Sequence, residues 1–89
     1  MRDSKRPKWA CPCCGNLTMD EPPGHFAFCE VCFWEDDNLQ LDDPSMRGGA
    51  NRSSLLEARQ NFLDFGASDR MFVSEVRPPT PKEVAGKRG

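Results

Sequence analysis

The apolar residues of this chain fall in short clusters separated by long polar stretches. Phe26-Ala27-Phe28 runs straight into Cys29 and is fed by Glu21-Pro22-Pro23-Gly24, a pattern that predicts a turn followed by a short strand, with a hairpin lying under the cysteines. Phe33 and Trp34 follow Cys32 directly and read as core. From Asp36 to Asn51 the sequence is rich in Asp, Gly and Asn and contains Pro44, so this stretch is expected to be a loop. Ser54-Leu55-Leu56-Glu57 has the form of a capping box and opens a helix predicted from about Leu55 to Phe65, closed by Gly66. At about 100° per residue, Leu55, Ala58, Phe62 and Phe65 share one side of that helix, flanked by Leu56 and Leu63. Phe72, Val73 and Val76 suggest an edge strand, and Arg77-Pro78-Pro79-Thr80-Pro81 reads as an extended arm.

These elements are few for a chain of 89 residues, of which 37% are apolar and fifteen are Pro or Gly. So small a domain buries little of its unfolded surface and needs a further source of stability. The opening MRDSKRPKWACP lacks an apolar stretch after its basic residues, which is the expectation for a cytoplasmic protein with neither a signal peptide nor a membrane span. In a reducing compartment, five cysteines within twenty-two residues are better explained as metal ligands than as disulfides, and their odd number points the same way.

Cys11-x-x-Cys14 and Cys29-x-x-Cys32, separated by fourteen residues, have the spacing of a four-cysteine zinc site. Two residues between thiolates let a tight turn aim both sulfurs at one ion; Gly15 allows the positive φ that such a turn needs, and Pro12 stiffens its start. Cys11, Cys14, Cys29 and Cys32 are therefore the expected ligands of one Zn²⁺ per chain. Four thiolates leave no open coordination position, so the ion is expected to be structural and the protein not to be an enzyme. Cys13 lies between two of the ligands and has three roles open to it: a small residue beside the site, a ligand exchanging with Cys11 or Cys14, or a reactive thiol. His25, the single histidine, reads as a loop residue, with ligation or a hydrogen bond to sulfur as the alternative.

The net charge of −2 is unevenly spread. Residues 20–43 carry eight acidic and no basic residues, residues 1–19 carry four basic and one acidic, and residues 44–89 carry eight basic and five acidic. An acidic segment directly after the second cysteine pair weighs against nucleic acid as a partner. Glu35-Asp36-Asp37 is either a solvated run or the partner of a cation. Arg59 falls within the apolar arc of the predicted helix, where an unpaired guanidinium would be costly to bury; it is expected either to clamp the helix to Asp36, Asp37 or Glu35, or to snorkel over the helix edge.

Cys11-Pro12-Cys13-Cys14-Gly15, Cys29-x-x-Cys32-Phe33-Trp34-Glu35-Asp36-Asp37, Gly48-Gly49-Ala50-Asn51 and the segment Ser54 to Gly66 together resemble the bacterial cysteine-rich CPCC family, over roughly residues 9–77. The resemblance implies a compact metal-binding domain of bacterial type and names no activity. The second cysteine turn departs from many zinc ribbons in having Phe33 where a glycine is usual. The expected architecture is a small α+β fold, a zinc ribbon of two knuckles and a short hairpin packed on one α-helix. Residues 1–7 would form a disordered basic tail and residues 8–77 one domain, with knuckles at 8–34, an acidic loop at 35–53 and a helix at 54–66. Residues 78–89 would form an extended or disordered tail.

The leading functional expectation is a zinc-stabilised protein-interaction or regulatory module with an unknown protein partner and no membrane association. The alternative is a nucleic-acid-binding ribbon in which Lys5, Arg6, Lys8, Arg47 and Arg52 converge and Trp9 stacks on a base. A third is a thiol-redox protein using Cys13, although no general base, paired catalytic carboxylates or phosphate loop accompanies it. Asn51, Arg59 and Asn61 could serve either packing or recognition.

Overall fold

In the computed structural model, which describes residues 8–85, the first cysteine turn sits at the tip of an antiparallel hairpin. Strand β1 (Trp9–Ala10) pairs with β2 (Leu17–Met19) in the register Trp9↔Met19 and Ala10↔Leu17, with an irregularity between the two pairs. The hairpin therefore joins the flanks of Cys11–Asn16, not the segment Phe26–Phe28 predicted as a strand. That segment cannot stay extended because Gly24 and Phe26 both have positive φ, 96° and 61°; Phe28 keeps a single antiparallel bridge, to Glu35.

The acidic stretch contains a short helix, α1 (Asn38–Asp42), where a loop was expected. Asp37 starts it: its Oδ1 accepts the Leu39 N–H at 2.8 Å, and its Oδ2 accepts the Ala50 N–H at 2.8 Å from the far side of the loop. Gly49 lies so close that a Cβ there would stand 2.5 Å from Asp37 Oδ2, so only glycine fits. Buried Gln40 organises the rest of the loop. Its amide nitrogen donates to the carbonyls of Met46, Asn51 and Ser53 at 3.0, 3.2 and 2.9 Å, and its oxygen accepts from the backbone and side-chain nitrogens of Asn51.

Helix α2 (Leu55–Phe65) has the predicted limits, because both halves of the capping box form and Gly66 ends it in the left-handed conformation at φ 83°. Its buried face is narrower than the sequence suggested: Leu55 and Ala58 are buried, Phe62 and Phe65 partly so, whereas Leu56 and Leu63 are exposed. Arg59 is exposed as well and donates from Nε to the Pro12 carbonyl at 2.9 Å, so the expected ion pair with Glu35, Asp36 or Asp37 does not form. Backbone N–H groups meet the two buried carboxylates instead, that of Gly24 on Asp36 Oδ2 and those of Leu39 and Ala50 on Asp37, while Asp36 Oδ1 has no partner among the described residues.

Beyond α2, Asp69 caps a 3-10 turn (Arg70–Phe72) in place of the predicted edge strand, accepting the Met71 N–H at 3.0 Å. The arm from Arg77 does not remain extended. Thr80 and Glu83 form a second capping box, with N–H to side-chain distances of 2.8 and 3.3 Å, and open helix α3 (Pro81–Ala85), which packs against β2. Arg77 grips Glu83 through both terminal nitrogens at 3.0 and 2.9 Å and reaches Glu30 at 3.5 Å. The tails expected to be disordered fall at residues 1–7, outside the described residues, and at 78–89, of which 78–85 are described.

One core serves the hairpin, both cysteine turns, α1 and α2. Trp34, Met19, Leu55, Val31 and Ala58 pack with the five cysteines, and Trp9, Ala27, Leu41 and Phe62 cover them from outside. Replacing Gln40 by Leu leaves the volume filled but strips buried carbonyls and N–H groups of their partners. This should destabilise the protein by about 3 kcal/mol, measurable by denaturant unfolding at a fixed metal concentration.

Candidate metal centre

Each Cys-x-x-Cys segment folds into the same turn. In the first, the Gly15 N–H donates to the Cys11 carbonyl at 2.8 Å and the Cys11 N–H to the Asn16 carbonyl at 2.9 Å; in the second, Phe33 donates to Cys29 at 2.8 Å and Cys29 to Trp34 at 3.0 Å. The residue after each second cysteine is left-handed, Gly15 at φ 79° and Phe33 at φ 68°. Glycine takes this conformation freely, whereas a residue with a Cβ does so at a cost of about 1–2 kcal/mol. The second turn is further held by Ser68, whose N–H donates to the Cys32 carbonyl at 2.8 Å, and by the Asn51 side chain, which brackets the backbone N–H and C=O of Glu35 at 2.9 and 2.6 Å.

The two turns face each other and bring Cys11, Cys14, Cys29 and Cys32 together, all buried, with their sulfurs within 4.8 Å of one another and no disulfide among them. Cys11 Sγ lies 3.6 Å from Cys32 Sγ, and Cys14 Sγ lies 3.8 Å from Cys29 Sγ. Sulfurs bound tetrahedrally at about 2.3 Å from one ion lie about 3.8 Å apart, so the residues fit a tetrahedral ion and could hold a metal.

Polar groups around the cluster support anionic sulfur. Asn16 Nδ2 donates to Cys14 Sγ at 3.2 Å, Thr18 Oγ1 to Cys29 Sγ at 3.0 Å and the Cys13 N–H to Cys11 Sγ at 3.3 Å. Asn16 is fully buried, and among the described residues its Oδ1 has no hydrogen-bond partner, so the strong acceptor at Cys14 is what favours keeping the amide inside. The crowded thiols also perturb one another. Hydrogen bonds from Cys11, then Cys14 and Cys32, hold Cys29 far below the ordinary thiol range, and a bond with Cys11 lowers Cys14. Cys11 is pushed up, chiefly through its bond with Cys14, and Cys32 is pushed up, chiefly through its bond with Cys11. A cation bound among the four sulfurs would displace thiol protons and neutralise the thiolates.

The other candidate residues are placed as follows. Cys13 is buried beside the cluster and outside the group of four. His25 is exposed, with Nδ1 3.1 Å from the Pro22 carbonyl, in the role of a loop residue. Asn51 is buried in the Glu35–Gln40 network, and Asn61 donates to the Ser68 carbonyl at 2.9 Å. Lys8 pairs with Asp20, Arg47 with Glu57 and Arg52 with Asp69, while Lys5 and Arg6 lie outside the described residues. Trp9 packs on the core. No helix among the described residues is long and apolar enough to cross a membrane. Thr18 and Asn16 went unnoticed in the sequence. Asn16 sits two residues past a cysteine, a spacing that could have flagged it, but the reach of Thr18 to Cys29 depends on the hairpin.

Replacing Thr18 by Val should preserve the fold and weaken metal affinity by about tenfold through loss of one O–H···S bond, as read by competition with a chromophoric chelator.

No curated protein matches the chain to a significant degree. Against models of known families, residues 9–83 match the one described as cysteine-rich CPCC. With the match spanning most of its length and taking in both cysteine turns, the chain belongs to the cysteine-rich CPCC family.

Proposed function

We propose that this protein binds one zinc ion through Cys11, Cys14, Cys29 and Cys32, that the ion has a structural role in a zinc-ribbon-like arrangement, and that the folded unit works as an interaction module and not as an enzyme. The observation that carries the reading is the closed group of four buried sulfurs, all within 4.8 Å of one another. A tetrahedral set of soft thiolates selects zinc or iron over magnesium or calcium, and four protein ligands leave no position for a substrate. When bound, the ion supplies charge neutralisation and cross-links the two turns. The chain does the rest: Asn16, Thr18 and the Cys13 amide orient the sulfurs, while Trp34 and Val31 exclude water from them.

Cys13 is buried, which argues for a small packing residue over a redox centre. Nucleic-acid binding is the weaker alternative, since Lys8, Arg47 and Arg52 are engaged by carboxylates and Trp9 is turned to the core.

Protein purified without added metal should contain one zinc per chain by elemental analysis, and a single thiol, Cys13, should titrate slowly in the native state. Cys32→Ser should lose the metal and the circular-dichroism signal of the folded state. A fold indifferent to a strong chelator would refute the structural role, and iron in place of zinc would redirect the proposal to electron transfer.

A further inference from the structure

Two open hollows share part of their lining, the Arg52–Asp69 ion pair. That shared lining is firmly built. Arg52 donates to Asp69 through Nε at 3.2 Å and Nη2 at 2.7 Å, Ser53 Oγ adds a bond at 2.8 Å, and the guanidinium holds the Asp69 carboxyl down at about 2. One hollow, of about 540 Å³, gathers Arg47, Arg52 and Arg70 against only Glu57 and Asp69, which leaves one positive charge unmatched. The unmatched group is Arg70. Its guanidinium lies 4.5 Å above the Phe65 ring and has no carboxylate partner among the described residues.

The other hollow, of about 410 Å³, is walled by Phe28, Phe33, Met71 and Phe72. Phe28 is 47% and Met71 56% exposed, although both are apolar. The Phe33 ring meets Phe28 edge-on at 4.8 Å and Phe72 at 5.2 Å. Phe33 also holds the left-handed position that Gly15 fills in the first turn. The turn itself requires no ring there, and the half-buried ring contributes the centre of an exposed aromatic wall.

We infer that the two hollows form one groove for an extended peptide of a partner protein, whose acidic side chain lies on Arg70 and whose neighbouring apolar side chain lies on the Phe28–Phe33–Met71–Phe72 wall. This rests on the reading of the protein as an interaction module. Within the Arg70 hollow, the one positive charge left unmatched by Glu57 and Asp69 suits one carboxylate, and planar guanidinium groups favour bidentate carboxylates. A nucleic-acid backbone would bring many phosphates against Glu35, Glu57 and Asp69, which line the same groove, on a chain of net charge −2.

The test uses the zinc-loaded full chain and capped peptides in which Phe and Glu are separated by different numbers of serines, followed by backbone amide shifts in NMR. At least one spacing should move the amides of Arg52, Arg70 and Met71 together. Its Glu→Gln analogue, and Arg70→Gln in the protein, should each bind about tenfold more weakly, as expected for loss of one charge-assisted contact. Phe33→Gly, which relieves the backbone, should retain its zinc and helix signal while losing the peptide. The groove is overturned if no spacing moves those amides, if the Gln analogue binds equally well, or if oligothymidylate binds the same face with a steep salt dependence. Metal content of the same sample separates the failures: a loaded, folded chain that ignores every peptide ends the groove alone, whereas a folded chain without metal ends the module reading and the groove with it.

Discussion

Everything in this structure depends on two backbone turns delivering four sulfurs to one place. Each turn is closed by the same pair of hydrogen bonds, from the fifth residue's N–H to the first cysteine's carbonyl and from that cysteine's N–H to the sixth residue's carbonyl. The sulfurs of Cys11, Cys14, Cys29 and Cys32 are then fixed by backbone geometry more than by side-chain packing. Their crowding would be unfavourable if all were ionised, which is why donors from Asn16, Thr18 and the Cys13 amide surround them. On the proposed reading, a bound cation converts that repulsion into the strongest cross-link in the protein.

The remaining chain is arranged to hold the second turn. Trp34 and Val31 are buried next to Cys32, Ser68 bonds the Cys32 carbonyl after α2 has closed, and Asn51 brackets Glu35 from the loop. Gln40 ties that loop to the start of α2 through Ser53. A small hydrophobic core is thus supplemented by a buried amide network, in which each member is valuable because its partners would otherwise be left unsatisfied. The two acidic residues at the centre, Asp36 and Asp37, belong to this network as acceptors of backbone N–H groups.

The same arrangement shapes the outer surface. The segment that caps the second turn, from Ser68 to Phe72, also places Asp69 against Arg52 and Phe72 against Phe33. The Arg52–Asp69 pair and the Phe28–Phe33–Phe72 wall are therefore anchored to the second cysteine turn, and their shape depends on what holds that turn closed.

Local chemistry was legible in the sequence by itself. The cysteine spacing singled out the four residues whose sulfurs converge, Gly15 marked a left-handed turn, and Ser54, Glu57 and Gly66 fixed both ends of α2. Each turn and each helix end depends on neighbours within about six residues, whereas the meeting of the two cysteine turns is tertiary. Tertiary structure decided the rest. Pairing of β1 with β2, and not of Phe26–Phe28 with another segment, follows from where the first turn closes and from the positive φ of Phe26. Arg59 lies outside and donates to the Pro12 carbonyl of the first turn, 47 residues away in sequence, an acceptor that only the folded chain brings within reach. Helix α1 and the 3-10 turn both begin at aspartates, Asp37 and Asp69, whose capping role emerges only when their second oxygens are engaged from distant segments, by Ala50 and by Arg52 and Ser53. A pattern of single residues carries propensity. It does not say which of several acceptors a donor will meet once the chain has folded back on itself.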